Sequence, residues 1–284
     1  MSQQWLAPAK LNLFLHITGQ RADGYHFLHT AFQFLDYSDE LNFELRSDGI
    51  INLVNSIEGV PDSDNLINRA ANILQQHPNC DASISGANIN LNKKLPMGGG
   101  LGGGSSNAAT TLLALNELWQ LNISIDELKK IGLQLGADVP VFIHGESCIA
   151  EGIGEQFTPA LPDECWYLIL IPSCHVKTSE IFSDSALTRN SKTLRIRAPL
   201  NWEELGRLRN DCESVVTKRF PKVKQALSWL SNYGIARMTG TGSCVFCSFP
   251  TEQEAKKVQT LLSRDFKSFV AKGVNQSPAY RSLY

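Results

Sequence analysis

The stretch LPMGGGLGGGSSN, residues 95–107, places six glycines within seven positions and runs directly into AATTLLALNELWQL, an apolar sequence with helical periodicity. Because glycine lacks a Cβ atom, this backbone can take positive φ angles and approach a ligand closely. The pattern predicts a glycine loop, residues 98–104, that opens a helix at or near Ser105. Amide N–H groups and the positive end of the helix dipole would converge at residues 103–106, which favours a bound phosphate group.

Other glycine loops fit this context poorly. Gly98, Gly100 and Gly103 match the dinucleotide fingerprint, but that motif follows the first strand of a βαβ unit, with an acidic residue at the end of the next strand. A Walker A loop requires Lys and then Ser or Thr after its last glycine, where this chain has Gly104 and Ser105. The V-A-I-K, H-R-D and D-F-G motifs of protein kinases do not occur. A flexible linker is disfavoured because a helix follows at once.

The segments around the loop predict a mixed α/β protein. Strand-like runs at residues 10–18, 29–35 and 39–45 suggest an antiparallel opening, and a strand or strand pair is expected within residues 82–91. Helical spacing starts after N-cap candidates at residues 62–64, and Ser124 with Glu127 forms a capping box before a helix ending near Gly136. Further on we expect a strand in WYLILIP and helices at residues 203–220, 222–233 and 252–262.

Composition limits the classes of function. The chain has 284 residues, 43% of them hydrophobic, and a formal net charge of −2 with interspersed charges, which argues against nucleic-acid or membrane-surface binding. The N-terminus has no signal-peptide pattern and no stretch reaches a membrane-spanning length, so we expect a soluble, cytoplasmic protein. The seven cysteines are expected to be reduced thiols. Cys244 and Cys247 form a C-x-x-C, but they would point to opposite faces of a strand.

The loop at residues 96–108 resembles the P-x-x-x-G-L-G-x-S-S-A-like loop of the GHMP kinases, the galactose, homoserine, mevalonate and phosphomevalonate kinase group. APAKLNL near the N-terminus and RMTGTGSCVF at residues 237–246 extend this resemblance. PAKLNLFL, RADGYH and GADVPVF narrow it to the branch whose small-molecule substrate is a cytidine diphosphate-linked methylerythritol. The resemblance implies ATP as phosphoryl donor, with Mg²⁺ accompanying it, and a monomer or weak homodimer without nucleic-acid or membrane partners.

For the fold, the resemblance implies two lobes in an α/β (α+β) architecture. The N-terminal ATP-binding domain would be a mixed sheet with helices and would span residues 1–160. The C-terminal substrate-binding domain would be an antiparallel sheet packed by helices and would span residues 161–284. The substrate is expected between the two lobes.

Two charged residues are the catalytic candidates. Phosphoryl transfer needs positioning, charge stabilisation and an acceptor for the hydroxyl proton. Asp138, in GADVP, can serve as that base, although an Asp before Val-Pro can also be only a turn former. Lys10 starts an apolar strand, where a cation is costly unless it is paired or faces a cleft; a solvated strand-end lysine is the alternative. Paired with Asp138, it would keep the carboxylate ionised.

The acceptor side draws mainly on the resemblance. Asn12 shares a strand face with Lys10 by period-two alternation and can join the same polar cluster. The resemblance places Tyr25 and His26 against the cytidine, and it assigns Thr178 and Phe182 as contacts from the second lobe, with Phe182 as a stacking plate for cytosine. Without it, His26 would be read as a surface histidine and Phe182 as a core residue.

The nucleotide side combines the glycine loop with flanking residues. The resemblance assigns Asn65, Leu66 and Lys93 to the adenosine side, while the sequence alone does not choose between Lys93 and Lys94. Asn107 would steady the loop, and a serine hydroxyl could reach the phosphates or Mg²⁺, since no dense carboxylate cluster offers a dedicated metal cage. The backbone expected to hold the phosphates comprises Pro96, Met97, Gly98, Gly99, Gly100, Leu101, Gly102, Gly103, Gly104, Ser105 and Ser106.

Three assignments stay open in the sequence. Gly240 and Gly242 precede a strand and form either a loop that closes over the acceptor or a plain helix-to-strand connection. Asn210 and Asp211 have capping as their default role. The competing functions are a GHMP kinase with another acceptor, such as mevalonate or homoserine, a nucleotide-binding protein without activity, and a dinucleotide oxidoreductase, which the loop context disfavours.

Overall fold

The computed structural model describes residues 3–55, 57, 59–194, 198–200, 205–263 and 265–282. The strands are β1 Gln3–Gln20, β2 His26–Arg46, β3 Ile51–Leu53, β4 Gly86–Asn92, β5 Cys148–Glu151, β6 Gln156–Pro159, β7 Trp166–Ile171, β8 Arg237–Met238, β9 Val245–Phe249 and β10 Lys267–Val274. The helices are α1 Leu66–Gln75, α2 Gly103–Leu118, α3 Ile125–Leu135, α4 Val139–His144, α5 Thr178–Phe182, α6 Glu213–Arg219, α7 Pro221–Leu230 and α8 Glu252–Thr260, followed by a 3₁₀ helix at Pro278–Ser282.

The strands form a mixed sheet in the order β3-β4-β2-β10-β7-β9-β8, with β1 and β5 also paired to β2 and β6 paired to β5. Only the β3–β4 pair among these is parallel. The last strand, β10, joins the two halves of the chain, because it pairs with β7 over most of its length and with β2 at Gly273 and Val274. The first and last thirds of the sequence therefore share one continuous sheet.

Three apolar cores follow from this topology. The first packs α1–α4 against the sheet around residues such as Trp5, Phe34 and Leu112. The second contains Leu101 of the glycine loop and Phe246 of β9, so it spans the two halves of the chain. The third is built on the C-terminal helices. The glycine loop thus sits where the N-terminal and C-terminal parts of the molecule meet.

Several predicted elements differ from the structure. Residues 26–46 form one long strand instead of two, and the strand expected within residues 82–91 starts only at Gly86. The N-cap of α1 is Asn65, whose side chain accepts from the Ile67 N–H, and the candidates at residues 62–64 are wrong. The Ser124 cap is confirmed by its bond from the Glu127 N–H.

Two further differences bear on the site. The helix predicted at residues 203–220 is confirmed only in part, because a bridge at Asn210 interrupts it before α6, which spans Glu213–Arg219; Glu203 lies outside the described residues. The sequence prediction also missed α4, which starts one residue after Asp138 with Pro140 in its first turn, a position where proline is tolerated because its missing N–H has no helical partner. No helix among the described residues is long and apolar enough to cross a membrane.

Candidate active site

A cavity of about 550 Å³ lies between the glycine loop, the start of α2, Asp138, α5 and a second glycine turn at residues 239–242. β1 supplies its floor through Lys10 and Asn12, both of which line it, as period-two alternation predicts. The β1–β2 register then shifts between Asn12 and Phe14, so the next β1 residue in the wall is Leu15. Bulges of this kind redirect side chains near active sites.

The glycine loop turns its carbonyl groups toward the protein. The oxygens of Gly98 and Gly99 accept hydrogen bonds from the backbone N–H groups of Ser243 and Cys244, at 3.3 and 3.0 Å. The Gly100 oxygen accepts from the Thr239 hydroxyl at 3.2 Å, and the Leu101 oxygen accepts from the Lys10 N–H at 3.0 Å. With the negative ends of these peptide groups engaged elsewhere, the loop presents a surface suited to an anion.

Two loop positions require glycine. Gly100 has φ +76° and a Cβ there would clash with the Thr239 carbonyl oxygen; Gly102 has φ +76° and a Cβ there would lie 2.7 Å from the Phe142 ring and 3.1 Å from the Lys10 Cε. Gly102 is the N-cap of α2, and the first helical hydrogen bond runs from the Ser106 N–H to its oxygen at 2.8 Å. The N–H groups of the intervening residues 103–105 precede that bond and remain for a ligand.

Buried polar atoms without partners lie in one part of the cavity wall. Asn65 and Asn107 line it and are only 3% and 1% exposed. Among the described residues, the Asn65 amide nitrogen and both polar atoms of the Asn107 amide have no hydrogen-bond partner. A buried amide is normally hydrogen-bonded, so these groups fit a polar ligand such as a nucleotide. Ser105 also lines the cavity, whereas Ser106 is buried with an unpartnered hydroxyl.

The structure distinguishes the two adjacent lysines. Lys93 lines the cavity, and a Cβ on Gly103 would lie 3.1 Å from its ammonium nitrogen, which places that nitrogen beside the start of α2. It donates to a carboxylate oxygen of Asp39 at 2.5 Å. Lys94 pairs instead with Glu40 on the outer face of the sheet. Of these two adjacent lysines, Lys93 is therefore the one beside the glycine loop.

Asp39 was not singled out by the sequence. Its side chain is fully buried, and its second oxygen accepts from the N–H groups of Lys94 and Leu95, each at 2.7 Å. A carboxylate that accepts several short N–H hydrogen bonds holds the donating segment in place. Asp39 therefore fixes the chain that leads into the glycine loop.

Lys10 and Asp138 form an ion pair in the cavity wall. The Lys10 ammonium lies 3.3 Å from an Asp138 oxygen and donates to the Asn12 side-chain oxygen at 2.6 Å. The Lys10 side chain is 3% exposed, whereas that of Asp138 is 39% exposed and lines the cavity. Asp138 is the N-cap residue of α4, yet its side chain makes no capping hydrogen bond. Its carboxylate is thus free of the turn-forming role that local sequence also allowed.

Asn12 links this pair to the second glycine turn. Its side-chain nitrogen donates to the Thr30 hydroxyl at 2.9 Å, and its backbone N–H donates to the Thr239 hydroxyl at 2.9 Å. Thr239 in turn donates to Gly100, so one threonine connects β1 to the glycine loop. The amide of Asn12 is thereby oriented with its oxygen toward Lys10.

The second glycine turn contacts the glycine loop at residues 98–104. Residues 239–242 are therefore more than a plain helix-to-strand connection. Gly240, Thr241 and Gly242 line the cavity. Asn210 holds this turn: its side-chain nitrogen donates to the carbonyl oxygens of Met238 and Gly240 at 2.8 and 2.7 Å. Asp211 accepts from the Ile17 N–H at 2.8 Å, which ties the same segment to β1. Asn210 and Asp211 are both buried, and they connect the glycine turn and β1. Asn210 also makes a local bond of the capping type, because its side-chain oxygen accepts from the Cys212 N–H.

The predicted acceptor residues divide into two groups. Thr178 and Phe182, at either end of α5, line the cavity, and the Thr178 hydroxyl lies 2.9 Å from the Thr241 hydroxyl. Tyr25 and His26 are absent from the described lining residues; Tyr25 is 59% exposed. His26 instead stacks behind Phe182, with ring centroids 5.0 Å apart and planes 27° apart. Sequence reasoning missed the apolar lining from Leu15, Leu28, Phe32 and Val176.

No group of three His, Cys, Asp or Glu side chains among the described residues forms a metal site. The cysteines are free thiols. Burial raises the pKa of Cys244 to about 12 and that of Cys247 to about 11, so neither is a reactive thiolate at neutral pH. Cys244 packs in the second core and Cys247 in the third, which confirms that the C-x-x-C side chains point to opposite faces.

Comparisons with known proteins agree on one family. Residues 65–146 match the model of the GHMP kinases N terminal domain, and residues 192–268 match that of the GHMP kinases C terminal. The chain is 53% identical, over 98% of its length and 96% of the relative, to a 4-diphosphocytidyl-2-C-methyl-D-erythritol kinase of Marinobacter nauticus.

Solved structures extend the likeness. A crystal structure of 4-(cytidine 5'-diphospho)-2C-methyl-D-erythritol kinase superposes with a TM-score of 0.81 at 30% identity, covering 95% of this chain and 98% of that one. A homoserine kinase from Cytophaga hutchinsonii shares the fold at 17% identity with a TM-score of 0.68, covering 97% of this chain and 96% of that one. The predicted α/β fold class is confirmed, whereas the boundary at residue 160 stays a prediction.

Proposed function

Because this chain belongs to the 4-diphosphocytidyl-2-C-methyl-D-erythritol kinase family of the GHMP kinases, we propose that it phosphorylates the 2-hydroxyl of 4-diphosphocytidyl-2-C-methyl-D-erythritol. The chain is an ATP-dependent kinase. The products of the proposed reaction are the 2-phosphate and ADP, and we assign the step to the non-mevalonate route to isoprenoid precursors. The observation that carries the proposal is the Lys10–Asp138 pair, which lines the same cavity as the glycine loop and lies beside that loop.

On the donor side, the loop and the start of α2 bind the phosphates of ATP. The N–H groups of residues 103–105 and the helix dipole favour negative charge there, and Lys93 adds a cation beside them. Asn65 and Asn107 supply unpartnered amide groups for the nucleoside side. These contacts hold the γ-phosphate in line with the acceptor, which is the main requirement of phosphoryl transfer.

On the acceptor side, Asp138 receives the proton of the attacking hydroxyl. The hydroxyl oxygen forms a bond to the γ-phosphorus as the bond to the ADP oxygen breaks, and the proton moves to the Asp138 carboxylate. Lys10, 3.3 Å away, orients that carboxylate through the ion pair. The Asn12 oxygen holds the Lys10 ammonium in place.

Mg²⁺, when bound with ATP, neutralises charge on the β- and γ-phosphates. In this chain the Ser105 hydroxyl, which lines the cavity at the start of α2, would be the protein group that holds it. Phe182 offers its ring to the cytosine, and Thr178 and Thr241 offer hydroxyl groups to the polar part of the acceptor.

The test is a coupled assay of ADP release with Mg²⁺-ATP that compares 4-diphosphocytidyl-2-C-methyl-D-erythritol with mevalonate, homoserine and galactose as acceptors. We expect turnover only with the cytidylated acceptor. Phosphate on its 2-hydroxyl, located by ³¹P NMR of the product, completes the assignment. Preference for another acceptor would overturn the proposed substrate while leaving the kinase assignment intact, and product phosphorylated elsewhere would overturn the regiochemistry.

A further inference from the structure

Arg189 makes an unusually complete set of contacts behind the cavity wall. Its Nε donates to the Nε2 atom of His26 at 3.0 Å, and one Nη donates to the carbonyl oxygens of Phe182 and Asp184, each at 2.8 Å. The other Nη donates to the Leu187 carbonyl at 3.2 Å. None of these partners is a carboxylate, so the guanidinium serves as a rigid fork of donors that joins separate segments.

The segments that Arg189 joins carry the two stacked rings. Phe182 is the last residue of α5, and Arg189 binds its carbonyl and that of the following turn, as cationic side chains do at helix ends. His26 is the first residue of β2 and lies in the N-terminal part of the chain. The His26 ring stacks on the Phe182 ring at a centroid distance of 5.0 Å. Arg189 therefore holds both residues of the stack, and with them the orientation of the Phe182 ring in the cavity wall.

The contact also sets the state of the imidazole. An arginine can only donate, so the His26 Nε2 must accept and the proton of the neutral ring must be on Nδ1. Burial, and then the charge of Arg189, lower the pKa of His26 from its ordinary value. Protonation of Nε2 would break the bond. The neutral ring is therefore the form that keeps the stack assembled.

We propose that Arg189 is a positioning residue for acceptor binding, which acts by holding His26 and the carbonyl end of α5 so that Phe182 presents its ring to the nucleobase of the substrate. The inference rests on the proposed function, because it takes Phe182 as the plate for a cytidine-bearing acceptor. Arg189 lies on the acceptor side only; its contacts do not reach the glycine loop, Lys93 or the Lys10–Asp138 pair. Its influence should therefore fall on the acceptor and leave ATP binding unaffected.

The experiment compares Arg189→Met and Arg189→Lys with the parent enzyme, measuring kcat and the KM of each substrate. Met keeps the aliphatic stem and removes every donor, so we expect the acceptor KM to rise about tenfold or more while the ATP KM and kcat stay within about twofold. The Arg189→Lys variant retains the charge and a single donor group, so its acceptor KM should lie between those of the parent and of Arg189→Met. An acceptor KM within twofold of the parent, or an equal rise in both KM values, would overturn the proposal.

Arg219→Met is the matched control. Arg219 also binds α5, through the Glu180 carbonyl at 3.2 Å and the Glu180 carboxylate at 2.8 Å, but its contacts include neither His26 nor Phe182. This variant removes an arginine of α6 that binds α5 from outside, without touching the stack, so the acceptor KM should stay near that of the parent. If both variants raised it equally, general loosening of α5 would explain the result and the inference would fail.

A second readout needs neither substrate nor turnover. Long-range ¹⁵N–¹H NMR distinguishes the two tautomers of a histidine ring, and in the parent we expect the His26 Nε2 to be unprotonated. In Arg189→Met the ring should shift toward protonated Nε2, with a higher pKa. An unchanged His26 signal would contradict the local contact, whereas failure of the cytidylated acceptor to react would contradict the proposed function alone.

Discussion

Two lysine–aspartate pairs contribute side chains to the same cavity, in opposite arrangements. In the Lys10–Asp138 pair the lysine is buried, at 3% exposure, and the aspartate faces the cavity at 39%. In the Lys93–Asp39 pair the aspartate is fully buried and the lysine is 24% exposed. The distances differ as well, at 3.3 Å for the first pair and 2.5 Å for the second. The same two residue types therefore expose a carboxylate in the first pair and a cation in the second.

The difference lies in what each buried partner is already bound to. Asp39 uses one oxygen for two backbone N–H groups and the other for Lys93, so it has little capacity left to accept a substrate proton. Lys10 is held by Asn12 and lies over the Phe32 ring, 5.3 Å from its centroid, which leaves the Asp138 carboxylate as the exposed group. One pair is thus suited to proton transfer and the other to phosphate binding.

Asp138→Asn is the substitution with the largest expected effect, and it tests whether the two pairs have separate roles. The amide keeps the shape of the side chain but cannot take the hydroxyl proton, so kcat should fall by about 10²- to 10⁴-fold with small changes in either KM. Steady-state kinetics at saturating ATP would measure this. Asp39→Asn is the comparison, because it should act mainly on the ATP KM and on stability. Equal losses of kcat in the two variants would show that the pairs are not divided in this way.

Lys10→Met tests the buried cation of the first pair. The methionine fills most of the same space without charge, so Asp138 loses its partner and the developing charge loses a stabilising group; we expect kcat to fall by about 10²- to 10³-fold. The backbone bond from residue 10 to Leu101 is kept. Thermal unfolding followed by circular dichroism would verify that the fold persists. A folded variant with parental kcat would remove Lys10 from the mechanism.

Lys93→Met tests the exposed cation of the second pair. Loss of a charged contact to phosphate should raise the ATP KM by about ten- to a hundredfold with a smaller effect on kcat. The adjacent Lys94→Met is the control, because Lys94 pairs with Glu40 at the surface and such pairs contribute about 1 kcal/mol or less. A larger effect from Lys94 than from Lys93 would reverse the assignment made from the geometry.

Sequence reasoning was most informative where structure is local. The glycine loop and the helix that follows it are confirmed, with α2 beginning at Gly103, close to the expected start. It was least informative where a partner is distant in the chain. Arg189 and His26 are 163 positions apart, and Asn210 and Gly240 are 30 apart. No periodicity within either segment indicates such a contact, so the roles of Arg189 and Asn210 emerged only from the packing.

Strand geometry explains the residues whose side-chain directions the sequence predicted only in part. Period-two alternation correctly placed Lys10 and Asn12 on one face, but the register shift beyond Asn12 brought Leu15 into the wall against that rule. Alternation also separated Lys93 from Lys94 without saying which of them faces the cavity. Asp39 on the neighbouring long strand decides that question, by binding the Lys93 ammonium and the backbone after it.

By itself the sequence determined the glycine loop and the start of the helix after it, because glycine content and helix initiation act through backbone preferences within a few residues. It also supplied the family resemblance and, through it, the Lys10 and Asp138 candidates. Only the tertiary structure decided which member of each lysine–aspartate pair is exposed, and that Arg189 supports the His26–Phe182 stack. Burial and hydrogen-bond partners depend on how distant segments pack, and these fix the chemistry that an otherwise identical pair of side chains can perform.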